Sequence, residues 1–149
     1  MIGQSIRLTT IRGIEVGLHY SWFIIFFLIT FSLTTRFASE HPHWTEVEHY
    51  TVGIITSLLF FASILIHELA HSFVALAKGI PVRAITLFVF GGVAQIGREP
   101  DSPLTEFQIA IAGPIASALL AVIFGVASQI AGDQFEHVTA LAGDRKSVV

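Results

Sequence analysis

The chain has 149 residues, of which 53% are hydrophobic and only 13% are charged, and its mean hydropathy is +0.73. Soluble domains carry about 25% charged residues, so this composition excludes an ordinary globular domain and is typical of an integral membrane protein. The net charge of −3 comes without a basic stripe, which argues against a nucleic-acid partner, and the absence of cysteine excludes disulfides and thiolate metal sites.

The first apolar stretch runs from about Leu18 to Leu33 and follows two basic residues, Arg7 and Arg12. Basic residues before an apolar run also mark signal peptides, but no small-residue cleavage site follows Leu33. We therefore expect an uncleaved membrane helix in this part of the chain.

Two further stretches are long enough to cross a bilayer, which takes about 20 helical residues. They run from about 51 to 77 and from about 107 to 131. The later stretch is rich in small residues, including Gly113 and Ser117, and contains Pro114, which is typical of a helix that packs closely against others. The sequence thus predicts an all-α membrane protein with three transmembrane helices.

The connection at 78–106 contains "IPVRAITLFVFGGVAQIG", which is rich in β-branched and aromatic residues. This pattern predicts a short β-hairpin or re-entrant segment between the second and third helices, and a further short membrane span is the alternative. The connection carries Lys78, Arg83 and Arg98, whereas residues 37–49 contain no lysine or arginine. By the positive-inside rule, the N-terminus and the 78–106 connection face the cytoplasm.

The second helix carries His67, Glu68 and His71 in the pattern H-E-x-x-H. Residues i and i+4 share one helix face, so both imidazoles converge on one point, where Zn²⁺ accepts neutral imidazole nitrogens. The adjacent glutamate is placed to act as a general base. Ionisable groups deep in a bilayer are costly, so a metal site accounts for their presence. The alternative is a polar patch in which Glu68 pairs with Lys78 or Arg83.

Other histidines lie in the acidic connection after the first helix, at His41, His43 and His49, where we expect them to be solvated. We interpret His19 as an interfacial residue. A histidine-box oxidase, which needs several histidine clusters on one side of a membrane, is a further alternative. The predicted topology places the connection across the membrane from His67, which disfavours this alternative.

Three segments together resemble the site-2 protease family of intramembrane zinc metalloproteases. They are "GIEVGLHYSW", "LIHELAHSFVALAKGIPVRAITLFVFGGVAQI" and "EPDSPLTEFQIAIAGPIAS". The resemblance is greatest to the bacterial and archaeal branch that often carries C-terminal CBS domains. It implies that zinc is bound by His67 and His71 and that Glu68 is the catalytic base. The implied substrate is a transmembrane protein, such as an anti-sigma factor or another membrane-anchored regulator.

The resemblance also implies that the hairpin around Phe90, Gly91 and Gly92 borders the active site and binds the substrate. An exposed strand edge there suits an unwound substrate segment, which pairs with it as an added strand. We expect a multi-pass protein of the cell membrane, with the N-terminus and the active-site end of the second helix in the cytoplasm.

The family's third zinc ligand is an aspartate in a later Asn-x-x-Pro motif that ends in Asp-Gly. This chain contains no asparagine and has no proline after Pro114. It ends in "DRKSVV", which matches one translated frame of a common sequencing adapter. We therefore expect residues 1–131 to be the N-terminal part of a protease core and 132–149 to be a tail whose last residues are an assembly artefact. On this expectation the chain alone binds zinc weakly. A non-catalytic membrane interaction module derived from the protease fold is the alternative function.

Overall fold

The structure is a computed structural model that describes residues 5–144, with side chains described for residues 5–130. Its elements are β1 (Ser5–Ile11), β2 (Ile14–His19), α1 (Ser21–Glu40), α2 (Glu46–Ala77), β3 (Val82–Phe88), β4 (Gly91–Ile96) and α3 (Pro103–Asp144). The chain divides into two compact units, residues 1–116 and 117–149. The boundary lies within α3. The side chains of the predicted tail, 132–149, lie outside the described residues.

The predicted all-α class is wrong, because the structure contains a four-stranded sheet in the order β1-β2-β3-β4. Strands β1 and β2 pair antiparallel, β2 and β3 pair parallel, and β3 and β4 pair antiparallel. The hairpin predicted between the second and third helices is present as β3 and β4. It forms half of a mixed sheet, whose other half precedes α1.

The unpredicted half of the sheet is the hairpin of β1 and β2. Its turn consists of Arg12 and Gly13, whose φ angles of 48° and 85° are both positive. Two positive φ values in a two-residue turn match the twist of an antiparallel hairpin. Because Arg7 and Arg12 also fit the flank of a membrane helix, the charge pattern conceals these short strands. The first helix begins at Ser21 and not at Leu18, because Leu18 belongs to the strand β2.

The sheet buries one face against α2. In β2, Ile14 and Val16 are fully buried while Glu15 between them is exposed, as the period of two in a strand requires. Ile14 joins Ile85 of β3 and Ala75 of α2 in one core cluster. Each such aliphatic side chain contributes about 1.5–3 kcal/mol through burial, and the small side chain of Ala75 lets the sheet approach the helix.

Helices α1 and α2 run antiparallel and meet through small and polar side chains. Thr30 Oγ1 donates a hydrogen bond to Ser57 Oγ at 2.9 Å, and Ser57 donates to the carbonyl of Gly53 at 2.8 Å. Gly53 lies so close to α1 that a Cβ atom there would be 2.5 Å from Thr34 Oγ1. Small residues at such a crossing are typical of helices that associate within a bilayer.

In the part of the chain that the structure describes, three helices are long and apolar enough to cross a membrane: α1, α2 and the part of α3 from Pro103 to Ile130. The exposed side chains on α1 fit contact with lipid, since Phe27 is 69% and Phe31 65% exposed. The three spans that hydropathy predicts are therefore present as helices, although their boundaries differ by several residues.

The helix α2 extends well past α1. Its 32 residues measure about 48 Å, against about 30 Å for the 20 residues of α1, at 1.5 Å per residue. Trp22, near the start of α1, packs edge-on against Phe61 of α2, with ring centroids 5.0 Å apart. The part of α2 that follows Phe61 contains the H-E-x-x-H pattern and lies against the sheet.

We expect Gly53→Leu to lower the free energy of unfolding by about 1–3 kcal/mol, because the new side chain would overlap α1. Gly125→Leu is the matched control, since a Cβ atom at Gly125 meets no atom within 4 Å. Unfolding titrations in mixed detergent micelles measure both variants. Equal stability of the two would contradict the close approach of α1 and α2 at Gly53.

Candidate metal centre

The two motif histidines converge on one point beside α2. The ring centroids of His67 and His71 lie 4.7 Å apart, and their Nε2 atoms are separated by 3.0 Å. The i, i+4 spacing places both rings on one face of the helix, as the sequence predicts. Two nitrogens bound to one zinc at about 2.0–2.1 Å and at a tetrahedral angle lie about 3.3 Å apart, so the observed separation is close to that of a shared metal.

The ring of His71 is oriented by the backbone of α3. Its Nδ1 lies 2.6 Å from the carbonyl oxygen of Ile109. A carbonyl only accepts hydrogen bonds, so Nδ1 carries a proton, and in the neutral ring Nε2 then has the lone pair. This is the tautomer that binds a metal through Nε2, and a second hydrogen bond of this kind is the usual support of a metal-binding histidine.

Gly113 of α3 faces both imidazoles. A Cβ atom built there would lie 2.6 Å from His67 Nε2 and still closer to His71 Nε2. Any larger residue would therefore occupy the space onto which the two nitrogens open. Sequence reasoning assigned Gly113 to helix packing alone. The Gly-Pro pair inside an apolar helix was a signal of an unusual position, but it did not indicate the partner.

Glu68 lies against the β3–β4 hairpin. A Cβ atom at Gly92 would be 2.6 Å from Glu68 Cγ and 3.3 Å from its carboxyl carbon Cδ. The absence of a side chain at Gly92 thus allows the glutamate to sit between α2 and β4. Gly91, the preceding residue, has a φ of 128°, which favours glycine. Phe90 occupies the hairpin tip and is 88% exposed.

The alternative polar patch lacks its ion pair. Among residues 5–130, no salt bridge joins Glu68 to Lys78 or Arg83. The predicted site residues His67, Glu68 and His71, together with Gly92, are instead brought together where α2, β4 and the start of α3 meet.

The histidines of the first connection lie far from this point. His49 precedes His67 by 18 residues in α2, which corresponds to about 27 Å along the helix. His41 stacks on Trp44 with ring centroids 4.2 Å apart, and His49 Nε2 donates to the carbonyl of His41 at 3.0 Å. This distance disfavours the histidine-box alternative, because the two groups of histidines would not share a metal centre.

The described side chains provide two metal ligands and not three. Within residues 5–130, no three histidine, cysteine, aspartate or glutamate side chains are grouped so that they could hold a metal ion together. Asp101, which lies just before α3, pairs with Arg98 at 3.0 Å. Imidazole nitrogens and the space at Gly113 fit zinc, and the two histidines would supply part of its coordination.

Comparison with known proteins relates this chain to metalloproteases. Residues 55–148 match the family model of "Peptidase family M50". A Synechocystis sp. protein that is named as a zinc metalloprotease is 43% identical over 80% of this chain and 31% of its own length. A zinc metalloprotease of Methanocaldococcus jannaschii is 33% identical over 86% of this chain and 34% of its own length.

The solved structure of a site-2 protease from Methanocaldococcus jannaschii also resembles this chain. The TM-score is 0.61 at 32% sequence identity, and the match covers 85% of this chain and 52% of that protein. The chain spans about a third of the length of the curated relatives named above.

We expect Gly113→Ala to weaken zinc binding at least about tenfold, because its Cβ atom would enter the space between the two Nε2 atoms. Alanine is the better helix former, so a loss of affinity would not reflect helix propensity. Gly125→Ala is the control in the same helix. Competition with a zinc chelator measures the affinity, and thermal unfolding verifies folding. Unchanged affinity in a folded Gly113→Ala protein would exclude this position as the metal pocket.

Proposed function

The chain belongs to peptidase family M50, the family of the site-2 proteases, and from this premise we propose that it acts in an intramembrane zinc endopeptidase that cleaves transmembrane proteins. The observation that carries the proposal is the pair of converging imidazoles beside Glu68 on an apolar helix. Three helices suited to a bilayer support a site that acts on membrane-embedded peptides.

His67 and His71 would hold the zinc ion through their Nε2 atoms. When bound, zinc lowers the pKa of a water molecule and polarises a substrate carbonyl. Glu68 accepts the proton of the attacking water and later donates it to the departing amine. The carbonyl of Ile109 keeps His71 in the correct tautomer, and the backbone at Gly92 confines the side chain of Glu68.

The substrate would bind as an extended segment along β4. This strand is the last in the sheet, so its outer edge offers free backbone donors and acceptors. Val93 and Ile96 on β4 are 50% and 47% exposed, which suits apolar peptide contacts. Strand addition would also unwind a helical substrate, whose amides are otherwise hydrogen-bonded within the helix. We assign Phe90, Gly91 and Gly92 to the entrance of this site.

We further propose that the metal centre lies toward the cytoplasmic side. The basic residues near the sheet and the C-terminal end of α2 are Arg7, Arg12, Lys78, Arg83 and Arg98. Residues 37–49, from the end of α1 to the start of α2, carry acidic residues and histidines without lysine or arginine, as an extracytoplasmic loop does. Membrane-anchored regulators, such as anti-sigma factors, are the partners that fit this orientation.

A catalytic zinc has three protein ligands, and residues 5–130 provide His67 and His71. We propose that the third ligand is an aspartate outside these residues. The two-ligand set of the described residues also favours a second candidate function, a membrane interaction module that has lost catalysis. Substitution of Glu68, the proposed base, distinguishes the protease from the interaction module.

We expect Glu68→Gln to reduce proteolysis by about 10²–10⁴-fold, because glutamine cannot accept the proton, while zinc binding is retained. Cells that express the gene together with membrane-anchored reporter proteins provide the cleavage assay, and metal analysis provides the zinc content. Glu99→Gln, at an exposed position in the connection before α3, is the control. Equal cleavage by Glu68→Gln and the unsubstituted protein would favour another base, and absence of cleavage by both would favour the interaction module.

A further inference from the structure

The backbone at the tip of the β3–β4 hairpin finds a hydrogen-bond partner outside the sheet. The parallel ladder between β2 and β3 ends at the pair Leu18 and Leu87. Beyond this pair, the N–H of Val89 donates to Ser21 Oγ, the hydroxyl oxygen in the first turn of α1, at 3.3 Å. The tip is therefore tied to a helix that otherwise lies outside the sheet.

The direction of this hydrogen-bond chain follows from His19. The backbone N–H of Ser21 donates to His19 Nδ1 at 3.2 Å, so Nδ1 carries a lone pair and not a proton. The hydroxyl of Ser21 lies 2.8 Å from the same nitrogen and must donate to it. The hydroxyl oxygen then faces Val89 as an acceptor. His19 thus sets the orientation in which Ser21 receives the hairpin.

Ser21 is itself held against α2. The next residue, Trp22, is 7% exposed and packs with Phe61 of α2 and Leu87 of β3 in one cluster. The hydrogen bond of Val89 to Ser21, which we call the tether, therefore links the hairpin to α2 through the start of α1. Three residues after Val89, the hairpin backbone at Gly92 lies against Glu68 of α2.

We propose that Ser21, oriented by His19, is a positioning residue that holds the hairpin tip so that Gly92 confines Glu68. This inference rests on the proposed protease function only for its effect on catalysis. The tether itself is a property of the described residues. If Ser21 served only to stabilise α1, its side chain would cap the N-terminus of this helix. The N-cap is instead Tyr20, which makes no side-chain capping bond.

Ser21→Ala removes the acceptor for Val89, while Ser21→Thr keeps a hydroxyl at the same position. Ser39→Ala is the matched control, since Ser39 lies in the same helix and its hydroxyl donates to the carbonyl of Arg36 within that helix. His19→Leu is a second variant that removes the orienting nitrogen. Thermal unfolding in lipid nanodiscs verifies that each variant is folded.

Amide hydrogen exchange is the readout that does not depend on activity. We expect exchange at Val89 and Gly92 to accelerate about five- to tenfold in Ser21→Ala, as the loss of one hydrogen bond implies, and to a smaller extent in His19→Leu. Ser21→Thr and Ser39→Ala should exchange like the unsubstituted protein. Unchanged exchange at Val89 in a folded Ser21→Ala protein would overturn the tether.

Cleavage of the membrane-anchored reporter tests the effect on Glu68. We expect kcat to fall about tenfold in Ser21→Ala with KM within about twofold, and Ser21→Thr to restore kcat, because the base is misplaced while the strand edge remains. Accelerated exchange with unchanged kcat would overturn the positioning role. If the unsubstituted protein cleaves nothing, the protease proposal fails, and the exchange rates at Val89 and Gly92 alone decide whether the tether exists.

Discussion

Two imidazole nitrogens 3.0 Å apart on an apolar helix impose requirements on every element that surrounds them. Nε2 of His71 must be available to a metal, which the carbonyl of Ile109 favours by accepting a hydrogen bond from Nδ1 of the same ring. The space in front of both rings must stay open, which the glycine at position 113 allows. The start of α3 therefore borders the candidate site as α2 does, through the carbonyl of Ile109 and the glycine at position 113.

The sheet meets a different requirement of the same helix. Because α2 continues beyond α1, the part that carries the motif needs another element to cover its apolar side. Strands β2 and β3 cover it with aliphatic side chains and pair their own backbones, which lowers the cost of non-helical structure near lipid. The edge strand β4 then lies beside Glu68. In this arrangement, one element both stabilises the helix and borders the candidate catalytic group.

Glycine lies at three of the places where two of these elements meet. Gly53 allows α1 to approach α2, Gly92 allows β4 to approach Glu68, and Gly113 allows α3 to approach the imidazoles. At each of these positions a Cβ atom would collide with a neighbour, so the reason for glycine is close approach. Gly91, by contrast, has a positive φ of 128°, which favours glycine for conformational reasons. Close approach depends on the partner element, and for that reason the local sequence does not reveal it.

By itself, the sequence determined the three apolar helices, the hairpin between the second and third, and the convergence of His67 and His71. Each of these follows from a local period or a run of residue types. Only the tertiary structure decided the mixed sheet and the contacts of Ile109, Gly113 and Gly92. The parallel pairing of β2 with β3 and the bond of His71 to Ile109, 38 residues away, join segments that are distant in the chain. Such contacts depend on how whole elements pack, and no local pattern encodes them.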